Sequence, residues 1–385
     1  MAPPPKSKAQ KPKTLRLSPT WGKHDHTVLV LQGGGALGAY QAGVFEGLAE
    51  AGIAPDWVAG VSIGAINAAL IAGNEPEQRV ARLREFWERV SSGNPFIPPS
   101  HFDPVRPVFN RLNAATVATF GVPGFFVPRI PSPLLAPEGS QAALSVYDTG
   151  PLLATLAELV NFRIIKKKHV RLSVGAVNVH TGNSEYFDNT TRELGPEHVL
   201  ASGSLPPGFP PVHIDGKQYW DGGIVSNTPL WYVLDDSPRM NALILQVDLF
   251  SARGELPQNL DQVMERAKDI QYSSKTRFNS NRIKELDEMR DALGRVLAKL
   301  PPALRNDPDV ERLAIACNQG NVSLVHLINR RLSHAASSKD YEFSRATVMD
   351  LWNSGLDAVR QAIAHPEWRH AVETVNGMRV YDLSN

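Results

Sequence analysis

The residue that points most directly to chemistry is a serine between two glycines, in the sequence Gly-Val-Ser-Ile-Gly at residues 60–64. Ser62 follows a short apolar segment typical of a strand and precedes an alanine-rich segment typical of a helix. With Gly60 and Gly64 on either side, it matches the nucleophile-elbow pattern, because such a tight turn has room only for small neighbours. Its hydroxyl would stand above a sheet, beside the positive end of a helix. The simpler interpretation is a serine that caps the helix.

A glycine-rich turn, Gly-Gly-Gly-Ala-Leu-Gly at residues 33–38, also follows a buried apolar run. Its spacing matches a dinucleotide-binding turn, and Asp56 follows at a distance that would suit a ribose contact. The same turn could instead point backbone N–H groups at a developing oxyanion. A third interpretation is that the glycines only permit a tight turn. The turn alone does not decide among these three.

An activated serine needs a group that accepts its proton. The hydrolase arrangement would use a late histidine, but the four histidines near the C-terminal end of the chain lie in charged or helical surroundings without a loop signature. We expect these four at the surface or at helix caps: His326, His334, His365 and His370. An aspartate offers an alternative, because Asp221 follows a predicted hairpin at residues 212–219 and precedes Gly222 and Gly223. A buried aspartate beside the serine could take the proton directly, although Asp-Gly-Gly can also be an ordinary turn.

These motifs occur together in the order found in patatin-like phospholipases, and residues 27–235 resemble that family. A further segment, residues 201–212, is similar to the family's Ala-Ser…Pro…Phe-Pro-Pro block. The resemblance implies an α/β fold, a three-layer sandwich around a central, mostly parallel sheet. It also implies a serine acyl hydrolase that cleaves lipid acyl esters through an acyl-enzyme, as a phospholipase A or lysophospholipase does.

The resemblance gives each motif a role. Ser62 would be the nucleophile and Asp221 its partner in a Ser-Asp dyad, which needs no metal or organic cofactor. The two motifs around them contribute four glycines: Gly60, Gly64, Gly222 and Gly223. The glycine loop would form the oxyanion hole, with Gly33, Gly34, Gly35, Ala36 and Gly38. Many relatives carry Arg or Lys inside this loop, where this chain has Ala-Leu, so anion selectivity does not carry over.

The predicted elements fit such a fold. Strand, helix, strand and helix follow one another with short links from Thr27 to Val90, which predicts a parallel sheet covered by helices. The second strand ends in the elbow rather than in a ribose-binding acid, which disfavours nucleotide binding. Further strands are predicted at residues 169–179, 243–247 and 323–328, and a last helix from about Ser344.

Composition limits the function classes. The chain has 385 residues, with 40 Lys and Arg against 39 Asp and Glu and a net charge of +1, so it has no basic excess for nucleic acid. A single cysteine excludes an intramolecular disulfide framework and a multi-cysteine zinc site. No apolar run is long enough for a transmembrane helix. We expect a cytoplasmic protein, with peripheral contact to a membrane as an option.

Three parts are predicted along the chain. Residues 1–25 form a basic, proline-rich and disordered tail, because they cannot bury enough apolar surface to order themselves. Residues 26–250 form the catalytic domain, with an insertion at 91–140 that is rich in Pro and Phe and lacks a helical or strand period. Residues 251–385 form a mostly helical extension packed on that domain.

Two segments are candidates for membrane contact, namely residues 1–24 and the insertion at 91–140. The alternative for residues 1–24 is a solubilising tail, and the alternative for residues 91–140 is a long loop packed on the core.

Two rival functions also fit the motifs. One is an acyltransferase or thioesterase with the same nucleophile, and the other is a catalytically silent membrane-binding protein. The lipid head group, the chain length and the oligomeric state are not predicted.

Overall fold

The computed structural model describes residues 24–92, 106–236, 241–273, 276–304, 307–317, 321–330, 339–368 and 378–383. One sheet dominates this part of the chain. Its strands are β1 (His26–Leu31), β2 (Trp57–Val61), β5 (Arg171–Asn178), β6 (Ser184–Asp188), β7 (Val212–Ile214), β8 (Lys217–Asp221), β9 (Ala242–Asp248), β10 (Val322–Ile328) and β11 (Met378–Asp382). A separate ribbon pairs β3 (Val127–Pro128) with β4 (Tyr147–Asp148).

The strand order of the central sheet is β11-β10-β9-β1-β2-β5-β8-β7, and β6 also pairs with β5. Every neighbouring pair from β11 to β5 is parallel. The strands β6, β8 and β7 are antiparallel to their neighbours. The predicted mostly parallel sheet is therefore confirmed, and β6 and β11 are strands that the sequence did not predict.

Helices cover both faces of this sheet. They are α1 (Gly38–Glu50), α2 (Ile63–Ala72), α3 (Arg79–Val90), α4 (Arg106–Phe120), α5 (Gly150–Leu159), α6 (Phe162–Lys166), α7 (Pro196–Ser202), α8 (Leu230–Asp236), α9 (Leu260–Tyr272), α10 (Thr276–Leu297), α11 (Pro308–Cys317) and α12 (Arg345–Ala364). Strand β1 shows the three layers directly. Leu29 and Leu31 belong to the main core with α1, α2, α3 and α12, whereas Val28 and Val30 face a smaller core that includes α8. A strand buried on both faces must be apolar throughout, which explains its continuous apolar run.

The insertion at 91–140 differs from its prediction. Its sequence shows no helical or strand period, yet α4 occupies fifteen of its residues. Of the side chains described on that helix, only those of Asn113, Ala114 and Val117 are buried, so its apolar stripe is too narrow to recognise in the sequence. Residues 93–105 of the insertion, like residues 1–23 of the predicted tail, lie outside the described residues.

The C-terminal third packs closely on the rest of the fold. Helix α12 lies against α1, and a Cβ at Gly43 would overlap the carbonyl oxygen of Trp352. A Cβ at Gly355 would likewise overlap the carbonyl oxygen of Tyr40, so glycines let the two helices approach. This third also supplies β10 and β11 to the central sheet. No helix in the described part of the chain is long and apolar enough to cross a membrane.

Candidate active site

Ser62 occupies a strained turn between β2 and α2. Its backbone has φ 56° and ψ −126°, a left-handed conformation that non-glycine residues adopt only under constraint. The flanking glycines explain how the turn fits, because a Cβ at Gly60 would overlap the carbonyl oxygen of Gly64, and one at Gly64 that of Leu31. The Ser62 hydroxyl makes no capping hydrogen bond to α2, which argues against the simple helix-cap interpretation.

The end of α7 holds the Ser62 turn in place. The backbone N–H of Ser62 donates to the carbonyl oxygen of Ser202 at 3.1 Å and to its hydroxyl oxygen at 3.0 Å. The Ser202 hydroxyl in turn donates to the carbonyl oxygen of Gly175 at 2.6 Å. Ser202 lies in the 201–212 segment, so that segment positions the serine from below the cavity.

Sheet register brings Asp221 to the same place. Val61 of β2 is paired with Gly175 of β5, and the next residue, Ala176, is paired with Asp221 of β8. The end of β8 therefore lies beside the end of β2, on which Ser62 sits. Ser62 and Asp221 are far apart in the sequence, but in the sheet only β5 lies between the strands that carry them.

Asp221 is buried, and its two carboxyl oxygens have different surroundings. Oδ1 accepts a hydrogen bond from the N–H of Gly223 at 2.7 Å. Oδ2 has no well-aligned donor among the described residues. Burial raises the pKa of Asp221 from 3.8 to about 7, and the neighbouring Ser62 hydroxyl and the Gly223 N–H offset part of that rise. Asp221 can therefore bind and release a proton near neutral pH.

The glycine loop follows β1 and approaches the serine from the other side. A Cβ at Gly33 would lie 3.0 Å from the Cβ of Ser62. The N–H of Gly33 donates to the carbonyl oxygen of Asn227 at 3.1 Å. By contrast, no hydrogen bond between described residues uses the N–H groups of Gly34 and Gly35. Two amides beside the serine are thus available to a ligand.

The expected loop residues divide into two groups. Gly33, Gly34 and Gly35 line the cavity with Ser62 and Asp221. Ala36 is buried, and Gly38 begins α1 with its Cα against the Ile63 side chain, so both stand behind the wall. Of the two glycines after the aspartate, Gly223 lines the cavity and Gly222 packs on Gly175.

Polar side chains that the sequence did not single out as site residues fix the loop. Gln32 is buried, and its Oε1 accepts the N–H groups of Leu249 at 2.6 Å and Phe250 at 3.0 Å. Asn227 donates from Nδ2 to the carbonyl oxygen of Gly33 at 3.1 Å. These bonds tie the loop to the strand end of β9 and to the segment after β8.

Most of the cavity wall is apolar and aromatic. Its apolar members are Ile63, Ile66, Phe125, Phe126, Leu205, Phe209, Phe250, Tyr272, Tyr341 and Phe343. Phe126 lies 5.2 Å from Phe209 between ring centroids, and Phe250 lies 5.5 Å from Tyr272. A wall of this kind suits a hydrocarbon chain better than a polar metabolite.

Four wall residues come from the C-terminal third, and sequence reasoning missed them: Tyr272, Asp340, Tyr341 and Phe343. Asp340 accepts a hydrogen bond from Lys268 Nζ at 2.7 Å. Burial raises the pKa of Asp340, and Lys268 offsets part of the rise. No local pattern marks residues 339–343, a short turn before α12, so only the fold could reveal them.

No histidine among the described residues lines this cavity. His365 caps the C-terminus of α12, as expected. The expected surface or capping position is wrong for His326, which is buried in β10 with its Nδ1 3.6 Å from Oδ2 of Asp248. His334 and His370 lie outside the described residues.

The dinucleotide interpretation fails on the position of its acid. Asp56 precedes β2, and its Oδ2 lies 3.1 Å from Nδ1 of His26, which is at the start of β1. Because β1 and β2 are parallel, Asp56 stands at the opposite end of these strands from the glycine loop. Within the described residues, no group of three or more His, Cys, Asp or Glu side chains is arranged to hold a metal ion.

Comparisons with solved structures give distant matches. VipD from Legionella pneumophila is 16% identical with a TM-score of 0.36, and the match covers 88% of this chain and 67% of VipD. Human GIVD cytosolic phospholipase A2 is 10% identical with a TM-score of 0.41, and the match covers 90% of this chain and 60% of the human chain. This chain thus spans about three fifths of the human protein's matched chain. No curated protein sequence matches it.

Two family profiles match the sequence itself. The first, described as patatin-like phospholipase, matches residues 29–234, which is more than half of the chain and includes Ser62, Asp221 and the glycine loop. The second, described as patatin phospholipase, matches residues 270–374 and includes the wall residues Asp340, Tyr341 and Phe343. The chain therefore belongs to the patatin-like phospholipase family.

Proposed function

We propose that the protein is a serine acyl hydrolase that cleaves an acyl ester of a lipid, with Ser62 as nucleophile and Asp221 as general base. The observation that carries this proposal is the meeting of a strained serine with a buried aspartate of pKa about 7 in one apolar cavity. A base with a pKa near the working pH is partly ionised and still able to hold a proton.

In the first step, the Ser62 oxygen forms a bond to the ester carbonyl carbon while its proton passes to the Asp221 carboxylate. The carbonyl π electrons move to oxygen, and the free N–H groups of Gly34 and Gly35 are placed to stabilise that charge. The N–H of Gly33 is occupied by Asn227, so we assign it no part in this stabilisation.

In the second step, the tetrahedral intermediate collapses and the bond to the alcohol oxygen breaks. Asp221 returns its proton to that oxygen, and the alcohol or lysolipid leaves an acyl group on Ser62. Water then attacks the acyl carbon, with Asp221 again accepting a proton, and the fatty acid leaves as the Ser62 hydroxyl is restored. Asp221 returns each proton that it accepts, so the cycle regenerates the enzyme without an external cofactor.

The aromatic wall supports a lipid acyl chain as the group that enters the cavity. We propose a phospholipase A or lysophospholipase type of reaction, in which the scissile ester lies at Ser62 and the acyl chain lies among the phenylalanines of the wall. The glycine loop carries Ala36 in place of a cation, so we assign no loop residue to a head-group phosphate.

We also propose the division of the chain into a tail at 1–25, a catalytic domain at 26–250 and an extension at 251–385. The wall residues Tyr272 and Phe343 support an extension that completes the site rather than one that folds apart from it.

The test is fluorophosphonate labelling of the full chain together with turnover of a phospholipid. We expect one labelled residue, Ser62, and loss of both labelling and turnover in Ser62→Ala. Asp221→Asn should lose turnover as well. The control is Ser323→Ala, which removes a buried hydroxyl in β10 outside the cavity and should behave as the parent. Unlabelled parent protein would favour a catalytically silent membrane-binding protein, and transfer of the acyl group to an added alcohol or thiol would favour an acyltransferase.

A further inference from the structure

The loop between β3 and β4, residues 129–146, carries apolar side chains that nothing in the described chain covers. Ile130 is 91% exposed, Leu134 is 94% exposed and Leu135 is 77% exposed. Between Ile130 and Val146 the sequence has a single charged residue, Glu138. Scattered exposed leucines are normal, but a cluster on one loop marks an interaction surface.

The base of this loop is part of the cavity wall. Phe126, just before β3, lines the cavity, and its ring lies 4.8 Å from that of Tyr147 in β4. The N–H groups of Val146 and Tyr147 donate to the carbonyl oxygens of Pro207 at 3.1 Å and Gly208 at 2.9 Å. The next residue, Phe209, also lines the cavity. The exposed loop therefore continues directly from the aromatic rim.

The loop is held in shape from its base. Arg129 donates from Nε to the Ser145 hydroxyl at 3.0 Å and from a terminal nitrogen to Asp148 Oδ2 at 3.2 Å. Two short 3₁₀ turns, Pro133–Leu135 and Gln141–Leu144, shape its outer part. These contacts leave the apolar tips pointing away from the core, so contact with a partner requires little further ordering.

We propose that loop 129–146 docks on a lipid surface and inserts Ile130, Leu134 and Leu135 among the lipid chains. Docking there brings the aromatic rim against the lipid layer, so that an acyl chain passes to the cavity without crossing water. The lipid occupant follows from the lipid-hydrolysing activity of the family and from the continuity between loop and cavity. The passage of substrate rests on the proposed function, whereas the docking itself does not.

The test measures co-sedimentation of the full chain with phosphatidylcholine vesicles, in a Ser62→Ala background so that the vesicles stay intact. Replacing Ile130, Leu134 and Leu135 together by serine should weaken vesicle partitioning by about ten- to a hundredfold, since three apolar side chains lose their transfer into lipid. The matched control replaces three exposed apolar residues of α10 and α11, namely Met289, Val296 and Leu313, by serine. The control should bind as the parent.

Two further measurements separate docking from folding and from catalysis. When Ser62 is retained, the loop triple variant should hydrolyse a soluble short-chain ester at the parental rate and should lose most of its activity on vesicles. Leu134→Cys, labelled with an environment-sensitive dye in a Cys317→Ala background, should show a blue shift on vesicle addition. Parental vesicle binding by the loop variant, or no shift of the dye, overturns the proposal. Concentration-dependent self-association of the parent that the loop variant abolishes, without vesicle binding, would assign the loop to a second copy instead.

Discussion

The carbonyl oxygen of Asp340 stands where a Cβ of Gly35 would have to lie. Gly35 has a φ of 55°, so both its backbone conformation and its neighbour require glycine. Through this contact, a turn from the C-terminal third bears directly on a loop that follows the first strand of the sheet. The geometry of the free amides beside Ser62 therefore depends on residues far along the chain.

Gly35→Ala is expected to reduce kcat by at least about a hundredfold, because displacing one oxyanion donor costs roughly that factor. The matched control is Gly182→Ala, where φ is 70° and nothing lies within 4 Å of an added Cβ. The control should lose about 1–2 kcal/mol of unfolding free energy from backbone strain alone and keep its activity. Equal activity in the two variants would contradict a role for the Gly35 contact.

The activity should rise with pH through a single ionisation near 7. Burial raises the pKa of Asp221 from 3.8 to about 7, and only the ionised carboxylate can accept the Ser62 proton. A plot of log kcat/KM for a neutral, soluble ester should therefore have a slope of about one below pH 7 and become flat above it. A profile that is already flat at pH 5 would exclude Asp221 as the base.

The same shift predicts a cost in stability. Since the folded pKa is raised, Asp221 contributes most to stability below its ordinary pKa of 3.8, and that contribution is lost as pH rises to about 7. The loss is on the order of 4 kcal/mol, at about 1.4 kcal/mol for each pKa unit. Asp221→Asn should thus gain unfolding free energy relative to the parent at pH 8 and lose that advantage near pH 4. Denaturant unfolding of the parent and of Asp221→Asn, at pH 8 and near pH 4, checks this prediction.

Lys268 is expected to act as a positioning residue through Asp340. Lys268→Met leaves a largely buried carboxylate without its ion-pair partner and should loosen the turn over Gly35. We expect a fall of about 1–3 kcal/mol in unfolding free energy and a lower kcat with little change in KM, both largely restored by Lys268→Arg. Lys217→Met, which removes a more exposed partner of Glu185 at 3.5 Å, is the control and should change neither. A rise in KM at constant kcat would point to substrate contact instead.

Phe209 should set the length of acyl chain that the cavity accepts. Its ring packs against Phe125 and Phe126 on the wall, so Phe209→Trp fills space that a chain would use. The ratio of kcat/KM for a long-chain to a butyryl ester should fall by about tenfold, while the butyryl value itself stays near that of the parent. An unchanged ratio would place the chain elsewhere.

Local patterns explain which features were predictable. The run from Val28 to Leu31 is apolar because both faces of β1 are buried, and the elbow glycine at 60 is required by the backbone of Gly64 within the same turn. Such constraints produce a pattern among residues that are close in sequence. Helix α4 has almost no such pattern, because among its described side chains only a narrow side is buried.

The far wall of the cavity was unpredictable for a different reason. Tyr272, Asp340 and Phe343 reach Ser62 only through the packing of α9 and α12 on the rest of the fold. No spacing rule links residues that are so far apart in sequence. Sequence reasoning therefore identified the candidate chemical groups and missed the part of the cavity wall that the C-terminal third supplies.

The order of these residues along the chain has a consequence for synthesis. Ser62 and Asp221 leave the ribosome well before the turn at 339–343 that closes over Gly35. A nascent chain thus carries both reactive groups before it has the wall that completes the cavity. We therefore expect hydrolysis of lipid esters to begin only once translation has passed Phe343. An unfinished chain would then not hydrolyse the membrane lipids of the cell that makes it.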